Sequence, residues 1–261
     1  MTEYAPPVSG LLKLGRPDGI TEETDYAPHG IGIADVPELI RLLNDDDLAW
    51  ADSDGPETYA QVHAWRALAQ LRAPEAVEPL LDLLAAQEND EDWNDWVSEE
   101  VPTALGRIGP GIIPATVAWL ERRGQQEHAP CYYANALVEV ARRYNETRPE
   151  VIAQLCRVLD TAVVNNASLN GYVVGNLVDL NAVEAWPTIE RAFATGNVDE
   201  SIRGDEPEAK YQLGLGPKPP RQYDAFPSRQ PAQTGSNAKQ RFNERQRKKK
   251  AEKRKNKKKR K

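Results

Sequence analysis

The sequence predicts an all-α fold, an α-solenoid of about four to five helical hairpins followed by a disordered basic tail. Three observations lead there. A helix–corner–helix phrase, LAQLRAPEAVEPLLDLL at residues 68–84, returns as LGRIGPGIIPATVAWL from Leu105, LVEVARRYNETRPEVIAQL from Leu137 and LVDLNAVEAWPTIERAF from Leu177. Its Leu-x-x-apolar pairs, Leu68/Leu71, Leu105/Ile108, Leu137/Val140 and Leu177/Leu180, recur at intervals of 37, 32 and 40 residues, the range of helical-hairpin repeats. Nowhere does the period-two alternation of a half-buried strand compete with this pattern. A hairpin of this size cannot bury its own apolar face, so successive hairpins must stack.

Residues 1–30 hold four prolines and four glycines and show no helical period. They are expected to form an extended leader, with a short helical turn around Leu11 and Leu12. The helical region is expected over 31–214. Asp35 has the place of an N-cap, with Pro37 in the first turn and Glu38 completing a capping-box spacing. Val36, Leu39, Ile40 and Leu43 then form the apolar stripe of an amphipathic helix, which the 44–47 run of Asn and Asp ends.

A second helix is predicted over 57–71, with Val62, Trp65, Leu68 and Leu71 on one face. Beyond the Pro74 corner, a third over 76–86 buries Val77, Leu80, Leu81 and Leu84. The acidic stretch QENDEDWNDW leads into a helix ending at Ile108, which Gly109-Pro110-Gly111 breaks. Further helices are predicted over 112–123, 131–144, 149–163, 169–180 and 183–194, with a short one at 206–213 to seal the end. Pro79, Pro114 and Pro187 each fall early in the first helix of a hairpin, where a missing N–H costs little.

These phrases resemble HEAT repeats of the bacterial type called PBS-lyase HEAT-like. The resemblance is carried by Leu105-Gly106-Arg107-Ile108-Gly109 and by the helix openings Ala76-Val77-Glu78-Pro79-Leu80 and Asp35-Val36-Pro37-Glu38-Leu39-Ile40. Residues 30–200 are also similar to a set of uncharacterised prokaryotic HEAT-like proteins, through VPELIRLL from Val36, VHAWRALAQL from Val62 and AVEAWPTIERAF from Ala182. The resemblance implies a stacked helical scaffold and no defined catalytic residue. It also implies an alternative function, a subunit or relative of enzymes that attach bilin chromophores to cysteines. Added bilin and a shifted visible absorbance would distinguish that reading. Some proteins of the set carry a Cys-rich zinc motif after the repeats, but the tail of this chain has no cysteine.

The net charge of −7 conceals a segregation. Residues 216–261 contain 18 Lys and Arg against 3 Asp and Glu, a net +15, whereas 1–215 contain 15 against 37, a net −22. The Pro-, Gln-, Ser- and Gly-rich stretch 216–240 is too polar to build a core and reads as a linker. The last segment, 215–261, is therefore a linker and polybasic tail, whose like charges repel one another.

Fifteen of the last 23 residues are basic: Lys239, Arg241, Arg245, Arg247, Lys248, Lys249, Lys250, Lys253, Arg254, Lys255, Lys257, Lys258, Lys259, Arg260 and Lys261. Such a density condenses on polyanions, because neutralising phosphates releases counterions. RNA, DNA or a ribosome is thus the expected partner of the tail, read without sequence preference. An acidic protein, the chain's own acidic body and a plain solubilising end are the competing readings. A nuclear address is a further use of such a run. With residues 1–215 at −22, the solenoid is expected to bind protein rather than nucleic acid.

Trp93 and Trp96, interleaved with the acidic loop, form a candidate partner surface, against which stands simple packing beneath the loop. Arg66 and Arg107, with Arg142 and Arg191, recur near equivalent positions of successive hairpins. They either pair with acidic residues or line a binding face. The loop carboxylates from Glu88 to Glu100 lack the spacing and glycine of an EF-hand, so a solvated loop is favoured over a Ca²⁺ site. His63 reads as a structural histidine, and His29 and His128 have no carboxylate or thiol at catalytic spacing.

Cys131 and Cys156 read as two buried, reduced thiols of a cytoplasmic protein; a secretory signal is not expected, and no 18-residue apolar run occurs. Gly171 and Gly175, four apart, are expected to admit a close helix neighbour. Motifs of nucleotide loops, zinc proteases and hydrolase elbows are missing from the sequence. The expected function is that of a non-enzymatic scaffold without a cofactor or metal.

Overall fold

A computed structural model of the protein describes residues 3–17, 24–49, 55–88, 95–123, 126 and 128–220. These are helical, with no β-strand among them. The polybasic residues of 239–261 and Trp93 lie outside the described residues.

The chain divides into two compact units within one helix, between Ala64 and Trp65. In the first unit, α1 (Val36–Leu43) buries Val36, Leu39, Leu42 and Leu43, and α2 (Asp46–Ala49) follows. Asp35 occupies the N-cap position, but its carboxylate does not bond forward into α1. It accepts from the Gly32 N–H at 2.8 Å, because a 3₁₀ turn over Ile33–Asp35 already opens the helix one turn earlier. Glu38 pairs with Arg41 one turn on and takes no part in a cap at Asp35.

The leader is folded where its apolar residues dictate. Val8–Lys13 forms a 3₁₀ helix, and Val8, Leu11 and Tyr26 are each at most 1% exposed. Burying three such side chains outweighs the irregular backbone that the prolines and glycines impose. A buried polar clasp adds to it. His63 of α3 (Ala60–Gln70) places Nε2 2.9 Å from the Gly15 carbonyl oxygen and Nδ1 2.9 Å from the Tyr26 hydroxyl. A carbonyl only accepts, so Nε2 carries a proton and donates to Gly15, and the Nδ1–Tyr26 bond completes the clasp. His63 is 0% exposed, a satisfied histidine that ties the leader to α3.

The second unit, Trp65–Pro220, continues through α4 (Val77–Ala85), α5 (Asp95–Ile108), α6 (Ile113–Arg123), α7 (Ala129–Arg143) and α8 (Arg148–Asp160). It ends with α9 (Ala167–Asp179), α10 (Trp186–Ala194), α11 (Glu200–Arg203) and α12 (Glu206–Gln212). The short α2 and α11 are additional to the helices read from the sequence.

Alternate helices pack together. α5 lies on α7, α7 on α9 and α9 on α11, while α4 lies on α6, α8 on α10 and α10 on α12. Cross-packing of α4 with α5, α6 with α7 and α8 with both α7 and α9 joins the two sets. α7 is the centre, with Cys131, Tyr133, Ala134, Leu137, Val138 and Val140 among its buried residues.

Two helix ends close with the same backbone hydrogen bond. At the end of α3, Ala73 N–H donates to Leu68 C=O at 3.1 Å around Arg72, whose φ is 52°. At the end of α9, Ala182 N–H donates to Leu177 C=O at 2.9 Å around Asn181, φ 49°. Both are Schellman-type closures, in which a left-handed residue turns the chain and satisfies a terminal carbonyl. Each closure is followed by a 3₁₀ turn, Pro74–Ala76 or Val183–Ala185, that opens the next helix. Similar turns at Pro110–Ile112 and Asn145–Thr147 lead into α6 and α8.

Candidate partner-binding surface

Three of the four arginines that recur along the sequence, Arg66, Arg142 and Arg191, are paired with carboxylates. Arg66 is only 6% exposed, and its Nε and Nη2 donate to the two oxygens of Glu100 on α5 at 2.8 and 2.5 Å. The Trp65 indole N–H joins them on Glu100 at 3.2 Å. Arg142 pairs with Glu139 at 2.8 Å and with Asp179 at 3.4 Å, and Arg191 pairs with Asp160 at 3.0 Å. Arg107 is half-buried in the last turn of α5, where its carbonyl accepts from the Tyr144 hydroxyl at 3.3 Å. Trp96 is half-buried and stands in the first turn of α5, not in the preceding loop.

His29 lies in an exposed 3₁₀ turn, and His128 is the residue before α7. Among the described residues no group of three or more His, Cys, Asp or Glu is placed to hold a metal ion. Both cysteines are free thiols, but only Cys131 is buried as expected; Cys156 is half-buried. Burial pushes the Cys156 thiol up, against the opposing effect of its hydrogen bond with Thr188.

The face that sequence reasoning missed lies on α9. Ser168, Tyr172, Asn176 and Asp179 follow at i, i+4, i+8 and i+11, a polar stripe on a helix otherwise buried through Leu169, Val173, Val174 and Leu177. Gly171 and Gly175 sit beside this stripe and admit α11, as their spacing predicts. A Cβ on Gly171 would stand 2.7 Å from the Asp199 carbonyl oxygen, and one on Gly175 would stand 3.5 Å from Arg203 Cγ.

This close approach brings the Asp199 carboxylate to the stripe. It accepts from the Ser168 hydroxyl at 3.4 Å, from Ser201 N–H at 3.0 Å and from the Ser201 hydroxyl at 2.6 Å. The Ser201 hydroxyl, more than any other partner, holds the Asp199 carboxyl below the ordinary range. One turn beyond Ser168, Tyr172 is 41% exposed, and burial of the rest of its ring raises its phenol.

One turn further, Asn176 Nδ2 donates to Asn135 Oδ1 of α7 at 3.0 Å. Asp179 closes the stripe, paired with Arg142 and with Arg203. The sequence did carry a signal, polar side chains and a tyrosine at helical spacing, but without the neighbouring helices nothing told which of them are covered and which are open.

Among the described residues no helix is long and apolar enough to cross a membrane. Comparisons with protein families, with curated proteins and with solved structures return no match.

Proposed function

We propose that this protein is a non-enzymatic scaffold, a HEAT-like α-solenoid that binds a protein partner and uses its polybasic C-terminal segment to contact a polyanion such as RNA, DNA or a ribosome. The observation that carries this reading is the charge segregation, −22 over 1–215 against +15 over 216–261. The acidic body repels phosphates, so attraction to a polyanion falls to the tail. The repeated helix closures at 68–73 and 177–182 support the stacked-hairpin part of the proposal.

The test is a titration of full-length protein, and of a chain ending at Pro220, with single-stranded RNA at several salt concentrations. The full-length protein is expected to bind with a steep salt dependence, a log–log slope of about −7 if some ten basic groups engage. The shortened chain is expected not to bind. Equal binding by both chains, or binding by neither, would overturn the polyanion assignment.

A further inference from the structure

The α9 face holds a hydrogen-bonding arrangement that the fold leaves incomplete. With Asn176 Nδ2 bonded to Asn135 Oδ1, the Asn135 amide NH₂ and the Asn176 carbonyl oxygen have no partner among the described residues. Reversing both amides leaves the same complement, one donor group beside one acceptor. Asn176 is only 8% exposed, so its idle acceptor is held in place by the surrounding helices. A donor and an acceptor side by side match the N–H and C=O of one extended residue, which point to the same side of a strand.

The neighbouring features select what that residue belongs to. Tyr172 lies one helical turn from Asn176, about 6 Å along α9. An extended chain advances about 3.3 Å per residue, so a side chain two residues from the amide-bound unit reaches the tyrosine ring. The Asp199 carboxylate, held by Ser168, lies a turn beyond and is charged at neutral pH. An aromatic face next to a carboxylate suits a cationic side chain. Arg142 and Arg203 of the same face are paired with Glu139 and Asp179, and residues 65–220 as a whole contain 24 Asp and Glu against 13 Lys and Arg.

We propose that the α9 face binds an extended peptide bearing basic side chains, its main chain on the Asn135–Asn176 amides and a Lys or Arg over Tyr172 toward Asp199. This deepens the scaffold reading, on which it rests, by giving the partner a chemistry and the scaffold a face.

The experiment uses the full-length chain and a fluorescein-labelled heptapeptide of alternating Ala and Lys, followed by polarisation. Three controls accompany it: the same peptide N-methylated on alternate residues, a Glu-for-Lys peptide, and the protein variants Tyr172→Ala and Asn135→Ala. Tyr172 is exposed enough for its removal to spare the fold, which a thermal melt by circular dichroism verifies.

Wild-type protein is expected to bind the Lys peptide and not the Glu peptide. Each variant, and N-methylation, should weaken binding tenfold or more. Binding unchanged in Tyr172→Ala and indifferent to N-methylation would be adsorption by charge alone and overturns the proposal, as does no binding at millimolar peptide. Parallel RNA titrations separate the two readings. RNA binding without peptide binding removes this inference and leaves the tail assignment, whereas peptide binding without RNA binding supports the face and removes the tail.

Discussion

Glu100 collects three donors, two from Arg66 and one from Trp65, at a place where Arg66 is nearly inaccessible to water. A buried guanidinium left without its carboxylate is costly, because desolvation is no longer offset by the pair. Glu100→Ala is therefore expected to destabilise the protein by about 3 kcal/mol, measured by urea unfolding. Arg66→Met, which removes the charge and keeps the stem, should cost less. Gly106 offers a second residue-scale test. A Cβ there would stand 2.5 Å from Glu139 Cβ and 3.0 Å from its backbone carbon. Neither is the end of a flexible side chain, so α5 and α7 would have to separate. Gly106→Ala is expected to cost about 2 kcal/mol and to lower the melting temperature. The Leu-Gly-Arg-Ile-Gly phrase contains this glycine, yet only the structure shows what it lies against.

Helix ends are the element-scale devices of this protein. Arg72 and Asn181 turn the chain in the left-handed region, which asparagine tolerates and β-branched residues resist. Arg72→Val is expected to destabilise by about 1–2 kcal/mol, with the same change at solvent-exposed Arg157 near neutral; paired urea melts would show it. Asp199 caps α11 through the Ser201 N–H, and its carboxyl is held below the ordinary value. A depressed folded pKa gives stability that is present above the unfolded value, about 3.9, and is lost as pH falls through the folded one. Asp199→Asn keeps a capping oxygen but does not titrate, so its stability should fall less steeply below pH 4. Melting temperatures across pH 2–6 would check this. Most helix positions could be read from apolar periodicity. The 3₁₀ turns at helix openings could not, since tertiary closure of each corner, not propensity, sets them.

At the scale of the molecule, the segregation of charge dominates. A −22 body and a +15 tail in one chain should make any polyanion complex strongly dependent on ionic strength, with a Debye length near 8 Å at physiological salt. By itself the sequence determined the helical class, the places of most helices and the separation of charge. Each of these depends on periodicity or composition, which survive without knowledge of neighbours. Tertiary structure decided which polar residues are committed and which are open. Arg66 and Arg142 have the same sequence signature, yet one is buried on Glu100 and the other exposed between Glu139 and Asp179. Tyr26 and His63, 37 residues apart, meet only because Val8, Leu11 and Tyr26 bury the leader. The Asn135–Asn176 pair joins residues 41 apart on adjacent helices. Hydrogen bonds are short-ranged, so their pairing is set by how helices stack, a property no local pattern of the sequence encodes.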